Sequence, residues 1–149
     1  MRPKNLCNNT NLCKYNLNIP RIQMPQIENE YLDDYLKFIK KYYKIKKISL
    51  PVSKLKATQN ELSERAIRKT QKKIKKKIYK PNSIIVSKDN YILDGHHRWA
   101  SYRDCEVNPT LCKLKKKTLK IKTYKINAPI KKLLSKTKKF KNIVYKDIH

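Results

Sequence analysis

From Glu28 onward, Leu32, Tyr35, Leu36, Ile39, Tyr42 and Tyr43 recur at helical spacing. Glu28, Glu30, Asp33 and Asp34 lie at the start and Lys37, Lys40, Lys41 and Lys44 at the end, the order a helix macrodipole favours, so the pattern predicts a helix over 28–44. Its tyrosines read as a core stripe, with base stacking as their other use. Ile48-Ser49-Leu50-Pro51-Val52 predicts a strand near a sheet edge, because Pro51 has no N–H for a ladder. After a loop over 54–61, a helix is expected from Ser63 to Ile78, with Ile67, Ile74 and Ile78 on one face and lysine on the others. Ser83–Ser87 reads as a buried strand, Lys88-Asp89-Asn90 as a tight turn, and Tyr91-Ile92-Leu93 as the returning strand. A further helix is expected from Asp94-Gly95 to a break at Asn108-Pro109. Residues 119–126 alternate like a strand but slip phase between Ile121 and Tyr124, which predicts a bulge or a start near Thr123. Asn127-Ala128-Pro129 opens a last short helix carrying Ile130, Leu133 and Leu134.

This mixture predicts an α/β (α+β) domain, a small mixed sheet with packed helices. The chain of 149 residues can fill one core. The expected divisions are an N-terminal arm and helix over 1–45, the domain proper over 46–135 and a basic tail over 136–149. Within the arm, Pro20 and Pro25 bracket Arg21-Ile22-Gln23-Met24, read as extended.

The helix start after the hairpin reads Asp94-Gly95-His96-His97-Arg98-Trp99-Ala100. It holds the only glycine, the only tryptophan and two of the three histidines of the chain. Asp94 is a good N-cap, and Gly95 lets a ligand approach the backbone. The unpaired N–H groups of the first turn would converge there with His96, His97 and Arg98 as an anion cradle. A capped helix with surface histidines is the plain alternative. Trp99 and Ala100 read as packing residues.

Composition changes the picture in two places. The net charge of +27, from 38 basic and 11 acidic residues, predicts attraction to polyanions with strong salt dependence. Yet 32 lysines against 6 arginines, with 17 isoleucines and 13 asparagines, also fit an AT-rich genome, of the kind phages and large viruses carry. The run Lys69-Thr70-Gln71-Lys72-Lys73-Ile74-Lys75-Lys76-Lys77 is therefore either a solvated face or a nucleic-acid groove, with Lys72, Lys73, Lys75 and Lys76 as its contacts. Lys113–Lys117 and Lys131–Lys141 are basic in the same way. Cys7, Cys13, Cys105 and Cys112 lack metal-site spacing and are expected as free thiols in a reducing cytosol. No stretch is long and apolar enough to span a membrane, and a cytoplasmic protein is expected.

The segment from Lys80-Pro81 to Ser101 resembles the ParB/sulfiredoxin superfamily, in particular its compact viral and bacterial ParB-like members. Leu50–Glu61 resembles that family's strand and L-K-P-T-Q-x-E loop, with Ala57 in place of the proline, and Asn127–Leu134 resembles its closing element. The likeness covers about residues 46–135. Sulfiredoxins carry a cysteine where His96 stands, and CTP-binding partition proteins carry a G-E-R-R type block and a following helix-turn-helix domain. Both activities are disfavoured by those departures. The D-G-H-x-R form looks more like that of ADP-dependent serine kinases and ParB-like nucleases.

The resemblance therefore implies phosphoryl transfer or phosphate-ester cleavage with a nucleoside polyphosphate, ATP or ADP before CTP, and Mg²⁺. The alternative is a DNA-binding protein or nuclease gripping backbone phosphate. Thr58, Gln59, Gly95, His96, His97 and Arg98 are the expected phosphate-binding residues. Asp94 is a cap, a Mg²⁺ ligand or a base. Glu61 is a base or a first-turn carboxylate, with Glu64 close enough to compete. His97 is an acid, a base or a charged clamp.

Overall fold

The structure, a computed structural model, describes residues 3–115 and 118–149. Of the basic loop expected over 113–117, Lys116 and Lys117 lie outside the described residues. Among the described residues, four strands and four α-helices form an α+β domain, with α1 at Leu32–Lys40, β1 at Ile45–Pro51, α2 at Glu64–Lys75, β2 at Ile84–Ser87, β3 at Ile92–Asp94, α3 at His96–Val107, β4 at Lys120–Ile126 and α4 at Ile130–Thr137. The sheet order is β1-β4-β2-β3. β4 is antiparallel to β1 and parallel to β2, and β2 is antiparallel to β3.

β1 is an edge strand, as Pro51 predicts, and it begins at Ile45, ahead of the expected Ile48. The helix expected over 28–44 keeps its α-helical hydrogen bonds only over Leu32–Lys40, behind a 3-10 turn at Asn29–Tyr31. α2 stops at Lys75, three residues short of Ile78, which is exposed. No bulge occurs in β4. Its register with β1 runs unbroken from Ile126 opposite Ile45 to Lys120 opposite Pro51, and the irregularity falls between Ile85 and Val86 of β2. The phase of β4 slips because that strand is central. Its far end is covered on both faces, so alternation fades from Tyr124 to Ile126.

The two sheet faces carry separate cores. Ile84, Val86, Ile92 and Ile121 pack with Ile67, Ile74 and Trp99, and the arm adds Leu6 and Cys13. On the other face Ile85, Leu93 and Ile126 pack with Tyr35 and Ile39 of α1 and Leu133 of α4, and Met24 joins them. Tyr35 is fully buried and its hydroxyl meets Thr137 Oγ1 at 2.8 Å. Tyr42 is half exposed, with Lys136 over its ring. Trp99 anchors α3 by donating from Nε1 to the Val52 carbonyl at 2.8 Å.

Two expectations are corrected. Arg21–Gln23 is a 3-10 turn rather than an extended stretch, closed by Gln23 N–H to Pro20 O and Met24 N–H to Arg21 O. The cysteines, expected as free thiols, are joined as Cys7–Cys13 and Cys105–Cys112, across Cα separations of 5.2 and 5.7 Å. Cys7 and Cys13 lie in one short loop, and Cys105 in the last turn of α3 meets Cys112 just past the 3-10 turn that follows the helix, so local turns bring each pair together. Protein purified without reductant should therefore show no reactive thiol to Ellman's reagent under denaturing conditions, and four after reduction. Among the described residues, no helix is long and apolar enough to cross a membrane.

Candidate anion-binding site

Three segments meet at the start of α3. The turn around Arg21, the loop over 56–63 and the residues Asp94–Arg98 are tied by side-chain hydrogen bonds to backbone. His96 Nε2 accepts from Thr58 N–H at 2.9 Å and from Gln59 N–H at 3.4 Å. One residue on, His97 Nε2 accepts from Ser63 N–H at 2.9 Å. Thr58 Oγ1 donates to the Ile92 carbonyl, and Gln59 Nε2 to the Glu61 carbonyl at 2.6 Å. Glu61 Oε1 accepts from Arg21 N–H at 2.9 Å, and the Arg21 guanidinium donates to Gln59 Oε1 at 3.2 Å. The structure thus brings Thr58, Gln59, Glu61, Asp94, Gly95, His96, His97 and Arg98 together, and adds Arg21.

Gly95, not Asp94, is the N-cap of α3. Its φ of 105° is left-handed backbone, and no side chain caps the helix. Asp94 instead ends β3, and its carboxylate lies 3.4 Å from the Arg98 guanidinium, side-chain exposure being 13% for Asp94 and 24% for Arg98. Burial raises the Asp94 pKa, against the opposing pull of Arg98, then Arg21 and a hydrogen bond from the Ile27 backbone. Arg98 also donates to the Asn82 carbonyl at 3.2 Å. Burial lowers the pKa of Arg21, Asp94 acts to raise it and Arg98 to lower it. Arg98 therefore pairs with this part-buried carboxylate while Arg21 adds a second positive field, at the N-terminus of a helix, a place where the dipole is itself positive. With Asp94 ionised the three side chains leave one net positive charge to attract an anion.

The histidines are engaged inward. His96 is 1% exposed and burial holds its pKa well below the usual value, with Arg21 and His97 adding to the effect. Because Nε2 accepts, the network assigns the ring proton to Nδ1, which has no hydrogen-bond partner in the protein. Burial, then Arg21, then His149, pushes the His97 pKa down to about 3, so at neutral pH it is uncharged and its Nε2 lone pair is taken. Both rings hold the 58–63 loop on α3, and neither offers a positive charge to a phosphate in this arrangement.

Asp94 does not fit a resident Mg²⁺. Its carboxylate is already shared by Arg98, Arg21 and the Ile27 amide, and a cation beside two guanidiniums would meet repulsion. Beside the site, Glu61, Asn60, Asn18 and Asp147 line a cleft of about 730 Å³. The last residues of the chain close the other side, with Val144 and Gln26 exchanging backbone hydrogen bonds and Ser63 Oγ donating to the His149 carbonyl. Lys72, Lys73, Lys75 and Lys76 lie on or at the end of α2, exposed and apart from this constellation, and Glu64 opens that helix.

Arg21 is the site residue that sequence pattern missed. One signal was present, since an arginine in a chain so dominated by lysine marks a position where a planar, many-donor group is needed. Compared with protein-family models, with curated proteins and with solved structures, the chain matches none.

Proposed function

We propose that this protein binds the phosphates of a nucleoside polyphosphate at the start of α3 and carries out phosphoryl transfer or hydrolysis there. The observation that carries the reading is the Arg98–Asp94 pair beside the first turn of α3, with Arg21 tied to the neighbouring loop through Gln59 and Glu61. Guanidiniums bind phosphate oxygens bidentately and neutralise charge that spreads over them during transfer. Arg21 and Arg98 are the phosphate-binding side chains. His96 and His97 position the loop, and Glu61, on the wall of the adjoining cleft, is the base that would orient an acceptor hydroxyl or a water. Any Mg²⁺ would arrive on the polyphosphate, since that ion commonly keeps its waters and binds through substrate phosphates.

A thermal-shift series with ADP, ATP and CTP, each with and without Mg²⁺, tests this directly, because a ligand of the folded state raises its melting temperature. At least one nucleotide should raise it, and Arg21→Gln or Arg98→Gln should weaken that nucleotide by about tenfold or more, the scale of one or two charge-assisted hydrogen bonds. Phosphate release or transfer, followed by phosphorus NMR, should fall in Glu61→Gln with binding retained. A chain that no nucleotide stabilises at millimolar concentration, or two arginine variants that bind as the parent does, would sink the proposal. Nucleic-acid backbone gripped at the same place would instead give binding that collapses with salt.

A further inference from the structure

Lys46 on β1 stands directly opposite Lys125 on β4. Like charges facing one another across antiparallel strands weaken a sheet. Lys44, ahead of β1, and Lys88, in the turn between β2 and β3, join them around a cleft of about 430 Å³ whose other walls include Ile45 and Ile48. A second cleft of about 360 Å³ lies on the opposite face of the same strands, across the β1 edge, and is lined by Lys47, Lys122, Ser49 and Ser83. No acidic residue occurs between Asp34 and Glu61, or between Glu106 and Asp147, so β1, β4 and α4 contain none. Asp89, next to Lys88, directs its carboxylate to Ser87 Oγ and to Ile130 N–H.

Base composition accounts for lysine in place of arginine. It does not gather four lysines from three segments around one cleft and leave the acids elsewhere. The lysines at the end of α2 differ in this respect, since a helix C-terminus favours cations on its own account. Of those in the sheet, Lys125 donates to Asn90 Oδ1 at 2.9 Å and Lys47 lies over the Tyr124 ring, but no carboxylate offsets their charge, and each repels the next unless an anion lies among them.

We propose that this β1–β4 end of the sheet binds nucleic acid, its lysines taking successive backbone phosphates. Alternate residues of a strand lie about 6.6 Å apart, close to the step between phosphates of one polynucleotide strand, and Lys120 and Lys122 are exposed at that spacing on the second face, so the phosphate track runs round the β1 edge from one cleft to the other. Lys47 lies 5.4 Å over the ring of Tyr124 on the strand opposite, which is partly exposed. A lipid surface is the poorer match. Interfacial binding needs apolar side chains beside the cations, and the large exposed ones, such as Tyr15, Ile22 and Val107, belong to neither β1 nor β4. This surface stands apart from the α3 site and does not depend on the nucleotide reading.

The test is fluorescence anisotropy of labelled single-stranded and duplex oligonucleotides with the full chain, over a salt series. Lys44, Lys46, Lys88 and Lys122, all exposed, are changed together to alanine, and a second protein loses the same charge through Lys72, Lys73, Lys75 and Lys76→Ala. The first set should weaken binding by about tenfold or more and flatten the log–log salt slope by about 3, at roughly 0.7–0.9 for each phosphate no longer neutralised. The second should change affinity by less than about threefold. Equal weakening by the two sets would show that net charge alone binds, and would overturn the proposal. So would absence of oligonucleotide binding, or competition by phosphatidylserine vesicles as strong as that of unlabelled oligonucleotide. Lys46→Ala alone should raise the melting temperature at low salt, and a lowered one would remove the repulsion on which the proposal rests.

Discussion

Gly95→Ala is expected to cost about 2–5 kcal/mol of folding stability, a large part of the 5–15 kcal/mol of a typical domain. Two independent effects add. At φ 105° the backbone is left-handed, which costs a residue with a Cβ about 1–2 kcal/mol. The added Cβ would also stand 2.3 Å from Ile84 Cγ2 and 2.7 Å from Ile84 Cβ, and overpacking of a filled core costs about 1–3 kcal/mol. Ile84 has no room to withdraw, being fully buried in β2, the strand between β4 and β3. The Arg98 guanidinium is 3.1 Å from the same point, so the substitution also displaces that side chain. Urea denaturation measures the loss. Ile84→Ala, itself destabilising because that side chain is fully buried, should show in a double-mutant cycle a coupling that recovers only part of the loss, because the contact with Ile84 Cβ and the left-handed backbone both persist. A Gly95→Ala protein within about 0.5 kcal/mol of the parent, the usual range for a neutral surface change, would mean that the turn relaxes and that this glycine is not required.

Much of this architecture was legible in the chain because its signals are local. Periodicity located α1, α2 and α4, start and stop signals at Asp94-Gly95 and Asn108-Pro109 located α3, Pro51 placed β1 at an edge, and the lone glycine marked the sharp strand-to-helix turn. What stayed hidden depends on contacts distant in sequence. The phase slip in β4 read as a bulge because nothing local says that a strand will be central and covered on both faces. Asp94 read as a helix cap, yet its position between Arg98 and Arg21 is fixed by a turn more than seventy residues earlier. The histidines looked like phosphate ligands because sequence shows ring type and spacing, not which way an imidazole points. The arginines were the overlooked clue. Arg68 pairs with Asp104 at 2.5 Å, Arg98 with Asp94, and Arg103 with Glu106 at 2.7 Å, while Arg21 faces Asp94 and Gln59. In a chain where lysine is the default cation, arginine marks the built contacts.

Acid should loosen the site before it unfolds the rest, through His96 and His97. Each is a hydrogen-bond acceptor in the folded protein, from Thr58 and Gln59 in one case and from Ser63 in the other. Protonation would abolish the accepting lone pair and place a charge in a buried region that already holds Arg21. In the unfolded chain both rings take up protons near pH 6.5. In the fold His97 does so only at about 3, and His96 well below the usual value. Between those limits the unfolded state binds more protons, so stability present above pH 6.5 is lost as the pH falls from there toward 3. The slope is about 1.4 kcal/mol per pH unit for each histidine. Asp94 acts with the opposite sign. Its raised pKa favours the fold at low pH and withdraws that support as pH rises above the ordinary carboxylate value, so it offsets part of the loss at the acid end. Two histidines against one carboxylate leave a net fall between pH 6.5 and 5. Stability from urea denaturation across that range should drop steeply in the parent and by about 1.4 kcal/mol per pH unit less in His97→Gln, whose amide oxygen can still accept from Ser63 without titrating. Identical slopes in the two proteins would show that His97 is not held neutral. Because those three hydrogen bonds fasten the loop carrying Gln59 and Glu61 to α3, nucleotide affinity should fall over the same pH range, and His97→Gln should retain more of it at pH 5 than the parent does.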